Sequence, residues 1–127
     1  MKKTLHNPGQ VGAPVGGYAH GCAVAEGRRM LFISGQIPEA ADGSIAEDFE
    51  SQARQVWRNI EAVLHEAGMS LDNLVKVTTF LTDRSQVPAN RKVRAEVLGE
   101  RSVALTVMVA TTLEPKWLLE IEAIAMD

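Results

Sequence analysis

Residues 116–126 (KWLLEIEAIAM) are rich in β-branched and aliphatic side chains and contain no breaker. That pattern predicts a strand, whose side chains two apart share a face. One face is Trp117, Leu119, Ile121, Ala123 and Ala125, an ordinary core face. The other is Leu118, Glu120, Glu122, Ile124 and Met126, with two carboxylates ~7 Å apart between aliphatic neighbours. Such a face fits a sheet covered by another subunit, with a carboxylate at the seam. It fits equally well two glutamates that point at water. Residues 102–110 repeat the pattern. Val103, Leu105, Val107 and Val109 read as core, whereas Ser102, Ala104, Thr106, Met108 and Ala110 form a face without charge. Sheet faces turned to water are seldom so apolar. Two strands of this kind predict a homo-oligomer built sheet against sheet.

Residues 46–67 carry the clearest helical period. Phe49, Ala53, Val56, Trp57, Ile60, Leu64 and Ala67 form one apolar stripe, and Gly68 stands where a C′ glycine ends a helix. A second helix is predicted over 84–98, with Ser85 as N-cap and Pro88 in its first turn. Residues 18–25, 30–37 and 74–82 read as strands, and Glu26-Gly27-Arg28 as the hairpin turn between the first two. Residues 7–17, with four glycines and two prolines, read as an irregular lead-in. The predicted order is β-β-α-β-α-β-β, an α+β domain in which two helices cover one sheet face.

At 127 residues the chain forms a single domain, 1–127, large enough for a real core. A net charge of −3 argues against a nucleic-acid partner bound through its phosphates. No apolar run approaches a membrane span, and the two N-terminal lysines precede no apolar segment of a secretory signal. One cysteine, Cys22, excludes an intrachain disulfide and suits a reducing compartment, so a cytoplasmic location is expected. No His, Cys, Asp or Glu cluster has metal-ligand spacing, so no metal site is expected.

Several motifs in their order along the chain resemble the Rid family, also called YjgF or UK114. They are Gly17-Tyr18-Ala19-His20, Ser34-Gly35-Gln36-Ile37-Pro38, Gln52 with Asn59, Val75-Lys76-Val77-Thr78, Phe80-Leu81-Thr82-Asp83 and Glu120-Ile121-Glu122-Ala123-Ile124-Ala125. The resemblance implies a chorismate-mutase-like fold. It also implies a homotrimer whose sheets enclose a central β-barrel, with small-molecule clefts between subunits. The best-known members hydrolyse reactive imines and enamines such as 2-iminopropanoate, without metal or cofactor. Ligand binding without deamination, and endoribonuclease activity, are the alternatives the family leaves open.

Imine hydrolysis needs a clamp for the substrate carboxylate, a positioned water and a proton donor or acceptor. Arginine suits the first task by its planar fork, and a carboxyl suits the last. By resemblance the carboxyl is Glu120, and Tyr18, the backbone around Gly35, and Asn90 line the cleft. The arginine does not carry over cleanly. Arg101-Ser102 matches the end of the family's Pro-Ala-Arg-Ser run, but Gly99-Glu100 replaces Pro-Ala. Counting back from Glu120 puts the arginine position at Ala104, on the face of Thr106 and Met108. Arg101 has the parity of Val103 and Leu105, where a guanidinium is tolerated only ahead of the strand. Arg101 therefore reads as a loop residue, with a swing into the cleft as its alternative. A cysteine of some relatives falls on Thr106 by register or on Val103 by motif. These departures resemble the branch of the family that lacks the arginine. His20 has two readings, an acid–base partner of Glu120 or a hydrogen-bonded histidine at a subunit seam.

Overall fold

The computed structural model describes residues 1–127. Its strands are β1 (Lys2–His6), β2 (Gly21–Ala25), β3 (Met30–Gln36), β4 (Leu74–Leu81), β5 (Ala104–Val109) and β6 (Leu119–Met126). Its helices are α1 (Phe49–Glu66) and α2 (Val87–Leu98). A four-stranded sheet runs in the order β3-β6-β4-β5, with β4 and β5 parallel and the other neighbours antiparallel. β1 and β2 form a separate antiparallel pair.

α1 forms where the apolar stripe predicts it. Asp48 caps its N-terminus by accepting from the Ser51 amide. Gly68, at φ 74°, ends it: the Met69 amide donates to Leu64 O at 2.8 Å and the Gly68 amide to His65 O at 2.9 Å. That pair of bonds is a Schellman motif, which leaves the last carbonyls satisfied. Val56, Trp57, Ile60 and Leu64 are almost wholly buried against Val77, Leu81, Leu119, Ile121 and Ala123 of the sheet. Val93 and Leu98 of α2 join the same core. Burial of each such side chain contributes about 1.5–3 kcal/mol, so α1 is held by its stripe more than by propensity.

Two side-chain amides fix how the helix meets the strands. Gln52 donates to Ala46 O (2.7 Å) and Lys116 O (2.9 Å) and accepts from the Leu118 amide (2.9 Å). Asn59 donates to Ile37 O (2.9 Å) and Glu39 O (3.1 Å). Both motif residues thus satisfy backbone groups of irregular segments that lack ladder partners.

Four expectations need correction. β1 is an additional strand: Lys2–His6 pairs with β2 in the register Lys2↔Ala25 to His6↔Gly21, so the order is β-β-β-α-β-α-β-β. Residues 26–28 make no β2–β3 hairpin, because β2 pairs with β1 and β3 with β6. Glu26, at φ 60°, turns the chain from one sheet to the other. The cap before α2 is Asp83, which accepts from the Ser85 amide while Gln86 closes a capping box, so Ser85 is inside the turn. Finally, Val103 is buried and Leu105 packs on the core, but Val107 and Val109 are exposed, because the helical layer does not reach the end of β5.

Candidate functional site

The open face of the sheet carries Met30 and Phe32 on β3, Glu120, Glu122, Ile124 and Met126 on β6, Lys76, Thr78 and Phe80 on β4, and Ala104, Thr106 and Met108 on β5. Phe32 is 69% exposed, Met108 52% and Met30 51%. These are large apolar groups on the two edge strands, β3 and β5, of the open face. The polar members are partly paired with one another. Lys76 Nζ donates to Thr106 Oγ1 at 2.7 Å. Partial burial holds the Lys76 ammonium below the ordinary lysine range, and the charge of Glu122 opposes that shift.

Glu120 stands opposite Phe80 on β4 and leans onto β3. The β3–β6 register slips between Ile33 and Gln36, and Gly35 lies in that bulge. A methyl group built on Gly35 would lie 2.9 Å from Glu120 Cδ and 3.1 Å from its Cγ. The glycine therefore lets the carboxyl group lie directly against the β3 backbone. Glu120 and Gly35, both expected in the site, meet within one chain. Glu120 has no protein hydrogen-bond donor and remains half-buried, which leaves its oxygens available to a ligand or a water.

Tyr18 and Asn90 meet elsewhere, in a cleft of about 380 Å³ between α2 and the edge of β5. Val15, Val87, Leu105 and Val107 form its apolar wall and Arg91 and Arg94 its cationic one. The lead-in reaches this edge because the Ala19 amide donates to Val103 O at 3.0 Å and Ala19 bridges Ala104. β4 and β5 lie between this cleft and the Glu120 strand, so a single chain does not unite Tyr18 and Asn90 with Gly35 and Glu120.

Arg101 lies in the loop before β5. Its Nε donates to Asp72 Oδ1 at 2.6 Å and its Nη1 to Leu98 O at 3.2 Å. Ala104 begins β5 on the open face, and Thr106 is two residues further on. His20 is tied into its own loop: its Nε2 is 2.6 Å from Gly12 O, its amide donates to Asn7 Oδ1 at 2.8 Å, and its ring meets Tyr18 edge to face. Cys22 is half-buried on β2.

Sequence reasoning missed Arg94. It is 5% exposed, and its Nη2 donates to Gly16 O at 2.8 Å. Gly16, at φ 98°, is required there, since a Cβ would sit 3.1 Å from that Nη2. Burial first, and then the neighbouring Arg91 charge, pull the Arg94 guanidinium below the ordinary arginine range, whereas Tyr18 opposes them. The available signal was the spacing of Asn90 and Arg94, four apart on one helix face.

A two-layer α+β domain with an uncovered sheet face, a carboxyl group on that face and a small cleft at the sheet edge defines the class. The endoribonuclease L-PSP family model matches residues 9–127. The chain is 40% identical to a RutC family protein of Pyrococcus horikoshii over 114 residues, 88% of each chain. It is 36% identical over 84 residues to the 2-iminobutanoate/2-iminopropanoate deaminase of Salmonella typhimurium, 65% of this chain and 62% of that one. The crystal structure of YyfB, a conserved Rid-family protein of unknown function from Yersinia pestis, superposes with a TM-score of 0.88 at 26% identity and covers 100% of both chains. The chain belongs to the endoribonuclease L-PSP family, the Rid or YjgF family. No helix is long and apolar enough to cross a membrane.

Proposed function

We propose that the protein is a cofactor-free hydrolase of small reactive imines or enamines of the 2-iminopropanoate type. It would act in clefts completed by the association of three copies through their open sheet faces. The observation that carries this reading is the Glu120 carboxyl group, held against the β3 backbone by Gly35 and left without a protein donor. Hydrolysis adds water across C=N. Glu120 takes a proton from the attacking water and returns it to nitrogen. Collapse of the carbinolamine then expels ammonia and leaves the ketoacid, so that imine and water balance ketoacid and ammonia. Proton transfer of this kind accounts for about 10²- to 10⁴-fold in rate. Phe32, Met30 and Met108 support the association, because apolar groups so exposed on one sheet need a cover. In the trimer the Glu120 face of one copy would border the Tyr18–Asn90 cleft of its neighbour.

Ala104, at the position of the family's arginine, favours a second reading: a cleft that binds a small metabolite without deaminating it. The family's ribonuclease description has less support here, given the net charge of −3. The deciding experiment generates 2-iminopropanoate with an amino-acid oxidase and measures ammonia release by wild type, Glu120→Gln and Arg101→Ala. The first reading expects turnover in wild type, its loss by at least about 10²-fold in Glu120→Gln, and near-normal rates in Arg101→Ala. No turnover in wild type favours the binding protein, and loss in Arg101→Ala makes Arg101 the clamp.

A further inference from the structure

Arg94 is a cation without a counterion. None of the protein's ion pairs includes Arg94 or Arg91, although Arg29, Arg54, Lys92 and Arg101 each have a carboxylate partner. Arg94 is also the most deeply buried of the arginines, with a single acceptor, Gly16 O, for its five N–H groups. Burying a guanidinium without a compensating charge is costly unless something repays it. One turn earlier on α2, Asn90 is 3% exposed. Both side chains line the same cleft, with Arg91 at its rim. A buried guanidinium with one acceptor and a buried amide, side by side on α2, describe a site whose further acceptor comes from outside. The rest of the lining is aliphatic, from Val15, Val87, Leu105 and Val107.

We propose that this cleft binds the carboxylate of a small ligand with a short aliphatic chain, with Arg94 as the principal clamp and Arg91 and Asn90 completing it. The inference deepens the reading of the Tyr18–Asn90 cleft given above and rests on it. The clamp that β5 does not supply at Ala104 then comes from α2, one layer away, and enters the cleft from the side opposite the strand. The planar guanidinium fork matches a carboxylate, and the aliphatic wall selects a chain of a few carbons over a bare inorganic anion.

Isothermal titration of the full chain with 2-oxobutanoate and, separately, with inorganic phosphate tests this. Wild type is expected to bind 2-oxobutanoate and to bind phosphate more weakly. Arg94→Gln should weaken 2-oxobutanoate binding by about 10- to 100-fold, the usual worth of a charged hydrogen bond. Arg91→Gln should cost about 2- to 5-fold as an exposed pair, and Asn90→Ala about 3- to 10-fold. Arg58→Gln, on the outer side of α1, should change nothing. Unliganded Arg94→Gln should melt no lower than wild type, since it removes an unpaired buried charge. Should that variant fail to fold, Arg91→Gln and Asn90→Ala carry the test. Equal affinity in wild type and all three cleft variants overturns the proposal, as does binding of phosphate alone. Binding seen only in Glu120→Gln also overturns it, because Arg94 is then already paired with that carboxylate of another copy. Absence of imine turnover with cleft binding intact removes the hydrolase and leaves the clamp. Turnover whose KM is unchanged in Arg94→Gln removes the clamp and leaves the hydrolase.

Discussion

The two faces of the four-stranded sheet are made by the same strands and obey opposite rules. Toward the helices, Ile33, Leu74, Val77, Leu81, Leu119, Ile121, Ala123 and Ala125 are all 3% exposed or less, and Thr79 is the polar exception. Away from the helices, phenylalanine and methionine alternate with Glu120, Glu122 and Lys76, and Phe32 is 69% exposed. One face is a finished protomer core. The other has too little charge for water and too much for a core, and it is the face that holds Glu120. The lesson is that packing is finished on one side of the sheet and left open on the other, so substitutions on the two sides should fail in different ways.

The largest contrast is between Leu119→Ala and Phe32→Ala. Leu119 is fully buried under α1, and its truncation is expected to lower protomer stability by about 2–5 kcal/mol. Phe32→Ala should change protomer unfolding by less than about 1 kcal/mol, as an exposed site does, yet weaken self-association. Urea titrations at several protein concentrations, with sedimentation velocity alongside, separate the two effects. Equal loss of protomer stability in both variants would end the distinction between the faces.

Gln52→Ala sharpens the comparison on the helical side. Its three hydrogen bonds tie α1 to Ala46, Lys116 and Leu118. Removing them leaves three part-buried backbone groups without their partner, an expected loss of about 1–3 kcal/mol. Gly35→Ala is its counterpart on the open face. The new methyl must displace the end of the Glu120 side chain, which is flexible, so folding should change little while imine turnover falls about tenfold or more. Thermal melts and the ammonia assay, run on both variants, read the split directly.

The sequence made these differences legible unevenly. The α1 stripe repeats one geometry for five turns, so Ala53, Val56, Trp57, Ile60 and Leu64 could be placed in the core from period alone. The mixed face of β6 was visible for the same reason, because a strand's period of two sorts Glu120 from Leu119 without knowledge of neighbours. β1 was not visible: KKTLH has one aliphatic residue and becomes a strand only because β2, fifteen residues on, offers it a partner. Val107 and Val109 look like core, but the helical layer ends before them. Arg94 was hidden in a segment, Arg91-Lys92-Val93-Arg94, that reads as a solvated helix surface. Its burial depends on Gly16 folding back across α2, a contact 78 residues apart. Local period reports faces; what covers a face is decided by distant chain.

The smallest expected effect is on pH, and the two regions differ in its sign. Asp48 is held below the ordinary carboxylate value of 3.8 by the Ser51 amide, and Asp83 by the Ser85 hydroxyl and amide, both at the starts of helical turns. A depressed folded-state value means stability that is fully present above 3.8 and lost as pH falls through the folded value. Lys76, on the open face, is depressed from 10.5 by partial burial. For a base that is a cost, fully present below its folded value and relieved as pH rises from there to 10.5. Melting temperature should therefore fall below about pH 3.8 and show a small rise on the alkaline side just under pH 10.5. Asp48→Asn, which keeps an acceptor for Ser51, should make the acid limb shallower by its own share, with that of Asp83 remaining, and leave the alkaline one untouched. Lys76→Met should do the reverse. If association covers Lys76 more deeply in the assembled protein, the alkaline rise should grow with protein concentration while the acid limb does not. Melts at two concentrations therefore ask, through titration alone, whether the open face is the one that closes against another copy.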